Sequence, residues 1–156
     1  FAQLTFAQIY VSSTGSDTDG DGTENNPYGS IQKGLDEVPE NDSVIVLAGE
    51  YILTEGINWP EKSNITLSGE DKNTTIIDGN NLYRIFLINA DQSNITIENF
   101  TLTKGMVDGD HGGALKVSGI SNLTLNNVDI IDNDVYFGEF FCINLIYFER
   151  CTIIII

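Results

Sequence analysis

The tetrad Ser-Asn-Ile/Leu-Thr occurs at Ser63, Ser93 and Ser121. Identical residues at a near-constant spacing restrict a chain to architectures built from stacked copies of one unit. Thr66, Thr96, Thr124 and Thr152 are separated by 30, 28 and 28 residues. A shift of 28 aligns Leu87 with Leu115 and Ile143, and Ile97 with Leu125 and Ile153, giving apolar columns expected to stack inside. Within each copy apolar and polar residues alternate, as in Ile65-Thr66-Leu67 and Leu123-Thr124-Leu125, the period of a strand with one buried face. A second strand follows at Thr75–Gly79, Thr101–Gly105 and Asp129–Asn133, each ending in a turn-prone pair. A third is expected at Arg84–Asn89, Ala114–Ser118 and Cys142–Ile146. Three short strands in about 28 residues leave no room for a helix, so the strands should form parallel coils about 4.8 Å apart. The fold class is all-β, a parallel β-helix; a β-sandwich or leucine-rich repeat accounts less well for the spacing.

The asparagines follow the same period. Asn64, Asn94 and Asn122 align, as do Asn73, Asn99 and Asn127, so amide ladders are expected in the turns. Asn41, Asn64, Asn73, Asn94, Asn99 and Asn122 also begin Asn-x-Ser/Thr sequons, most of them a by-product of the repeat.

With 156 residues the chain fits one compact domain or part of a larger protein. Its 23 acidic against 7 basic residues give a net charge of −16, which disfavours nucleic acid and anionic membrane surfaces as partners. Glu139, Asn144, Glu149 and Arg150 interrupt the apolar stretch Val135–Ile156, so a membrane span is not expected and the protein reads as soluble. Residues 1–8 (FAQLTFAQ) are either the remnant of an export signal or a first strand. Cys142 and Cys151 are too few for a disulfide scaffold, do not share a repeat position and lack metal-ligand spacing.

Residues 9–62 differ from the coils of 63–156 and read as a cap with the first coil. A strand at Ile9–Ser12 leads into an acidic Gly-rich loop. A short helix follows, with Ser30 as its N-cap, Ile31, Leu35 and Val38 on one face, and Pro39 as its stop. It would lid the end of the solenoid, whose edge strands otherwise leave backbone groups unpaired.

The run Ile9-Tyr10-Val11-Ser12, Gly15-Ser16-Asp17, Asn26-Pro27-Tyr28, Ser30-Ile31-Gln32, Leu35 and Gly49-Glu50-Tyr51 resembles the opening of right-handed parallel β-helix proteins of the pectin-lyase-like superfamily. Further on, Gly112-Gly113-Ala114-Leu115, Leu123-Thr124-Leu125, Asn127 and Asp132-Asn133 resemble the Gly-Gly-Ala-Ile and Phe-x-x-Asn repeats of polymorphic outer-membrane and adhesin-like surface proteins, with Ile130 where Phe is usual. The resemblance spans about residues 9 to 134 and implies the fold rather than an activity. It implies a secreted or cell-surface setting and contact with polysaccharide or a surface glycan.

Asp17-Thr18-Asp19-Gly20-Asp21-Gly22 has the spacing of a Ca²⁺ loop, although Tyr28 takes the position of its closing bidentate Glu. Asp17, Asp19, Asp21 and Glu24 are the calcium candidates, set against a solvated acidic turn with no cofactor. The only His, His111, lies in a second acidic loop beside Asp108 and Asp110. Were the chain a lyase, carboxylates would bind Ca²⁺ against an acidic sugar and a Lys or Arg would abstract a proton. Asp78, Lys104 and Asp132 fall in one repeat column and are the catalytic candidates; an ion-pair ladder is the simpler reading.

The last coil ends at Cys151–Ile156, and apolar residues from 140 to 156 suggest either a longer protein or end-to-end self-association through strand stacking. Three functions follow from this reading. The first is a non-catalytic surface domain forming the N-terminal part of an envelope or adhesin-like protein. The second is the N-terminal part of a Ca²⁺-dependent, pectate-type polysaccharide lyase. The third is a stacking structural subunit.

Overall fold

The computed structural model describes residues 8–89, 94–118, 122–137, 140–142, 146–149 and 152–155, with side chains through residue 136. The strands wind as a parallel solenoid with three faces. The first face carries β1 (Ile9–Val11), which parallel pairing joins in sequence to β2 (Ser43–Val46), β5 (Thr66–Gly69), the first half of β8 (Ile95–Thr103), the first half of β11 (Asn122–Ile131) and β15 (Thr152–Ile155). The second carries β3 (Gly49–Ile52), β6 (Thr75–Asp78) and the second halves of β8 and β11. The third carries β4 (Ile57–Asn58), β7 (Phe86–Ile88), β10 (Leu115–Ser118) and β14 (Ile146–Glu149).

Strand alternation sends one column of apolar side chains inward from each face. Val44, Leu67, Ile97 and Leu125 stack from the first face, Tyr51, Ile77, Leu102 and Ile130 from the second, and Ile57, Phe86 and Leu115 from the third. Almost all are buried in one continuous core, where each aliphatic side chain stabilises by about 1.5–3 kcal/mol. Trp59 packs edge-on against Phe86 within this core.

The cap forms as the sequence suggests. Ser30 is extended and its side chain accepts from the Lys33 amide, starting α1 (Ile31–Glu37), which buries Ile31, Gly34 and Leu35. Pro39 forces Val38 out of the helical region, and Lys62 closes the end by donating to the carbonyls of Leu35, Asp36 and Val38. Gln32 both donates to and accepts from the Asn58 backbone, so one helix side chain substitutes for a neighbouring strand at the edge of β4. Among the described residues no helix is long and apolar enough to cross a membrane.

Between the first two faces the chain turns on a single left-handed asparagine in the coils of β8 and β11. Asn99 and Asn127 have φ of 61° and 53°, and Asn127 Nδ2 donates to Asn99 Oδ1 at 2.9 Å. β8 and β11 therefore cross this corner without interruption. A second ladder runs Asn122 to Asn94 to Asn64 to Asn41, each Nδ2 donating to the preceding Oδ1 at 2.8–2.9 Å.

Four registers differ from the 28-residue expectation. Asn73 joins no ladder and instead hydrogen-bonds Asp71 within the 70–74 loop; its expected place is taken by Gly69, where a Cβ would lie 2.3 Å from the Asn99 carbonyl. That loop offsets the second strand by one residue, so Asp78 pairs with Thr103 and is not the equivalent of Lys104 and Asp132. On the third face Leu115 pairs with Phe86 and Ile146, not with Leu87 and Ile143, because the turns leading into this face differ in length. In the last coil Thr152 lies opposite Asn122 and Ile153 opposite Leu123. In that coil β12 (Asp134–Phe137) and β13 (Phe140–Cys142) form an antiparallel pair where only parallel pairing was expected. Cys142, expected to open a third-face strand, pairs there with Val135, while β12 lies parallel to β9 (Met106–Asp108). Cys151, residues 1–7 and the side chains of 140–156, on which self-association would rest, lie outside the described residues.

Candidate functional site

The charged side chains that carry candidate chemistry gather where the second face turns into the third, in the 79–84 and 104–114 segments. Glycines let these segments stack closely: a Cβ on Gly79 would lie 2.6 Å from Gly105 Cα, and one on Gly105 would lie 2.4 Å from the Gly113 carbonyl. Asn133, almost fully buried, joins the layers. Its Oδ1 accepts from the Gly105 amide, and its Nδ2 donates to the carbonyls of Leu102 and Ile131. The buried amide thus links two coils and satisfies its own hydrogen-bonding groups.

Asp78 and Lys104 meet here despite their offset. Lys104, at φ 52°, places Nζ 2.5 Å from Asp78 Oδ2, while Asp78 Oδ1 accepts from the Asn80 amide. The Asp78 carboxylate is buried, so the ammonium supplies its charge partner. The hydrogen bond to Asp78, reinforced by its charge and those of Glu50 and Asp132, raises the Lys104 pKa above its ordinary value. Lys104 is thereby engaged as the charge partner of the buried Asp78 carboxylate. Asp132, the third candidate, is exposed at the Lys104-equivalent position with φ 52°.

A second constellation centres on Asp110 of the acidic loop, whose basic partners Arg84 and Lys116 were not singled out in the sequence. Arg84 Nη2 lies 2.7 Å from Asp110 Oδ2 and Lys116 Nζ lies 2.8 Å from the same oxygen. Arg84 also donates through Nε to the Gly112 carbonyl and through Nη2 to that of His111. The Lys116 hydrogen bond, with the His111 amide and Arg84, outweighs the burial that opposes it and holds the Asp110 carboxyl well below the usual carboxylate range. Asp110 is thus a fixed anion that folds its own loop over the third face. His111 is half-buried beside it. The signal available in the sequence was Arg84 at the start of one third strand and Lys116 within the next, bracketing an acidic loop.

The calcium candidates lie at the opposite end, in the cap. Asp17 Oδ1 accepts from the amides of Gly29 and Ser30 at 2.8 and 2.9 Å; burial pushes its pKa up, but these bonds and Ser30's side chain leave it lowered. Asp19 contacts Ser16, and Asp21 Oδ1 accepts from both the amide and the hydroxyl of Thr23. Glu24 is exposed. The aspartates therefore close separate turns and present no shared oxygen cage, and among the described residues no three carboxylate, imidazole or thiol groups gather to hold a metal ion.

The outer side of the first face carries polar columns. Thr66, Thr96 and Thr124 stand in one column, and in the next Ser68 and Asn126 both donate to Glu98, at 2.9 and 3.2 Å. Such a surface offers hydroxyl, amide and carboxylate groups at the regular intervals set by the coils.

No protein-family model matches the chain, and no curated protein matches it by sequence. Among solved structures it is similar to a rhamnogalacturonan lyase, with a TM-score of 0.56 and 18% identity over 78% of this chain. At that identity the likeness shows a shared fold, and the chain spans 36% of that structure's length.

Proposed function

We propose that this chain is a β-helix domain of a secreted or cell-surface protein, part of a longer envelope or adhesin-like chain, that contacts carbohydrate and has no catalytic activity of its own. The observation that carries this reading is the use of its charged groups. Lys104 is tied to Asp78 and Asp110 to Arg84 and Lys116, so the groups best suited to proton transfer instead hold the coils together. The fold shared with a polysaccharide lyase and the polar ladder of the first face support the carbohydrate part.

The test is incubation with a panel of neutral and acidic polysaccharides, with and without Ca²⁺, following both retention by the polymer and the ultraviolet absorbance of unsaturated products. Retention without product is expected. Ca²⁺-dependent product would overturn the non-catalytic reading in favour of a second, a pectate-type lyase segment, which the neighbour's activity and the position of Lys104 among Asp78, Glu50 and Asp132 support. In that case Lys104→Ala should abolish product.

A further inference from the structure

A groove of about 400 Å³ opens beside the cap, between the loops around Ser13 and Gly29 and the segment that runs from β3 into β4. Its volume falls among small-molecule sites, ~300–1,000 Å³. Strand alternation places Glu50 and Ile52 side by side on the outer surface of β3, while Tyr51 between them points into the core. Thr54 and Glu55 continue the wall, and Ile57 lies deeper.

Two features define what this groove would hold. Ile52 is 57% exposed, an apolar contact that nothing among the described residues covers, and it is flanked by Glu50 and Glu55, whose carboxylates make no hydrogen bond there. Every charged residue lining the groove is acidic: Asp17, Glu50 and Glu55. Free acceptors beside an apolar surface suit a pyranose ring, which offers a rim of hydroxyl donors and a C–H face. Three lining carboxylates, with Lys104 acting on Glu50 and Lys33 on Asp17 from outside the groove, leave an excess of negative charge that disfavours uronates and other anionic sugars.

We propose that this groove binds a neutral sugar unit of a glycan, its hydroxyls donating to Glu50 and Glu55 and its C–H face lying on Ile52. The proposal rests on the carbohydrate-contact reading and narrows it to uncharged glycans at the cap.

The experiment is an amide NMR titration of the isotopically labelled protein. The probes are gluco-, xylo-, manno- and galacto-oligosaccharides as neutral glycans and oligogalacturonate as the acidic one, repeated with E50A/E55A. Both residues are exposed, so that variant should keep the wild-type spectrum elsewhere. A neutral probe is expected to shift amides of residues 50–57, with its affinity reduced at least tenfold in E50A/E55A, and oligogalacturonate to leave those amides unmoved. Neutral binding unchanged by E50A/E55A, or acidic binding within the groove, overturns this proposal while leaving carbohydrate contact intact. No shift with any probe overturns both.

Discussion

The two corners of the coil turn the chain by different means. From the first face to the second, β8 and β11 each use a single left-handed asparagine, and the two side chains bond to each other. From the second face to the third, the chain uses loops of varying length, closely stacked glycines, a buried Asn133 and two ion-pair groups. Where β8 and β11 turn on one residue the spacing is constant and the same residue repeats; one coil earlier the 70–74 loop at this corner shifts the register of the second strand. A long corner tolerates changes in length but needs specific polar contacts to seat each loop.

The largest loss is expected from the core beneath the first corner. Phe100, fully buried next to Asn99, should lose about 3–5 kcal/mol on replacement by Ala, measured by urea denaturation. A loss below about 1 kcal/mol would mean that the coil interior is not close-packed there. At the second corner, Gly105→Ala should cost about 1–3 kcal/mol, because its Cβ meets the Gly113 carbonyl. Gly109→Ala should cost about 1–2 kcal/mol from its φ of +68° alone, since nothing lies within 4 Å of its Cβ. A loss below about 0.5 kcal/mol for Gly105→Ala would show that the close stacking has no energetic role. Asn127→Ala should cost about 1 kcal/mol, for a ladder bond and a left-handed backbone, and Asn127→Gly less, because glycine keeps the conformation.

The two regions also predict opposite pH limbs. Asp110 has a lowered folded pKa, so its contribution is fully present above the unfolded value near 3.8 and is lost as pH falls below it. Asp110→Asn should flatten the acid limb of the stability profile. Burial raises the Tyr51 hydroxyl from 10.0 to about 12, so the folded state loses stability as pH rises through that interval, where only the unfolded chain ionises. Tyr51→Phe should remove that alkaline limb and cost about 1 kcal/mol at neutral pH, for the hydrogen bond to the Leu47 carbonyl.

The legible part of the fold follows the same division. The tetrads and Asn99/Asn127 could be read from the sequence because they repeat where the backbone permits one geometry. The capping helix was legible too, since Ser30, its apolar face and Pro39 act within a few residues of one another. The third-face register was not, because a single extra residue in a turn moves every later side chain to the opposite side of its strand, as with Leu87 and Phe86. Pairings across coils were less legible still. Arg84 and Asp110 meet only through stacking, Lys62 caps a helix a full turn of the solenoid away, and Asp17 is taken up by backbone amides that sequence spacing does not reveal. The site was therefore visible as residue types, and its bonding only as structure.

If the charges of the second corner hold the coils rather than move protons, the titration of Lys104 Nζ by heteronuclear NMR, assigned with Lys104→Arg, should show it charged beyond its ordinary value of 10.5, and Asp78→Asn should lower its pKa. A Lys104 that loses its proton near neutral pH would instead mark that residue as a base.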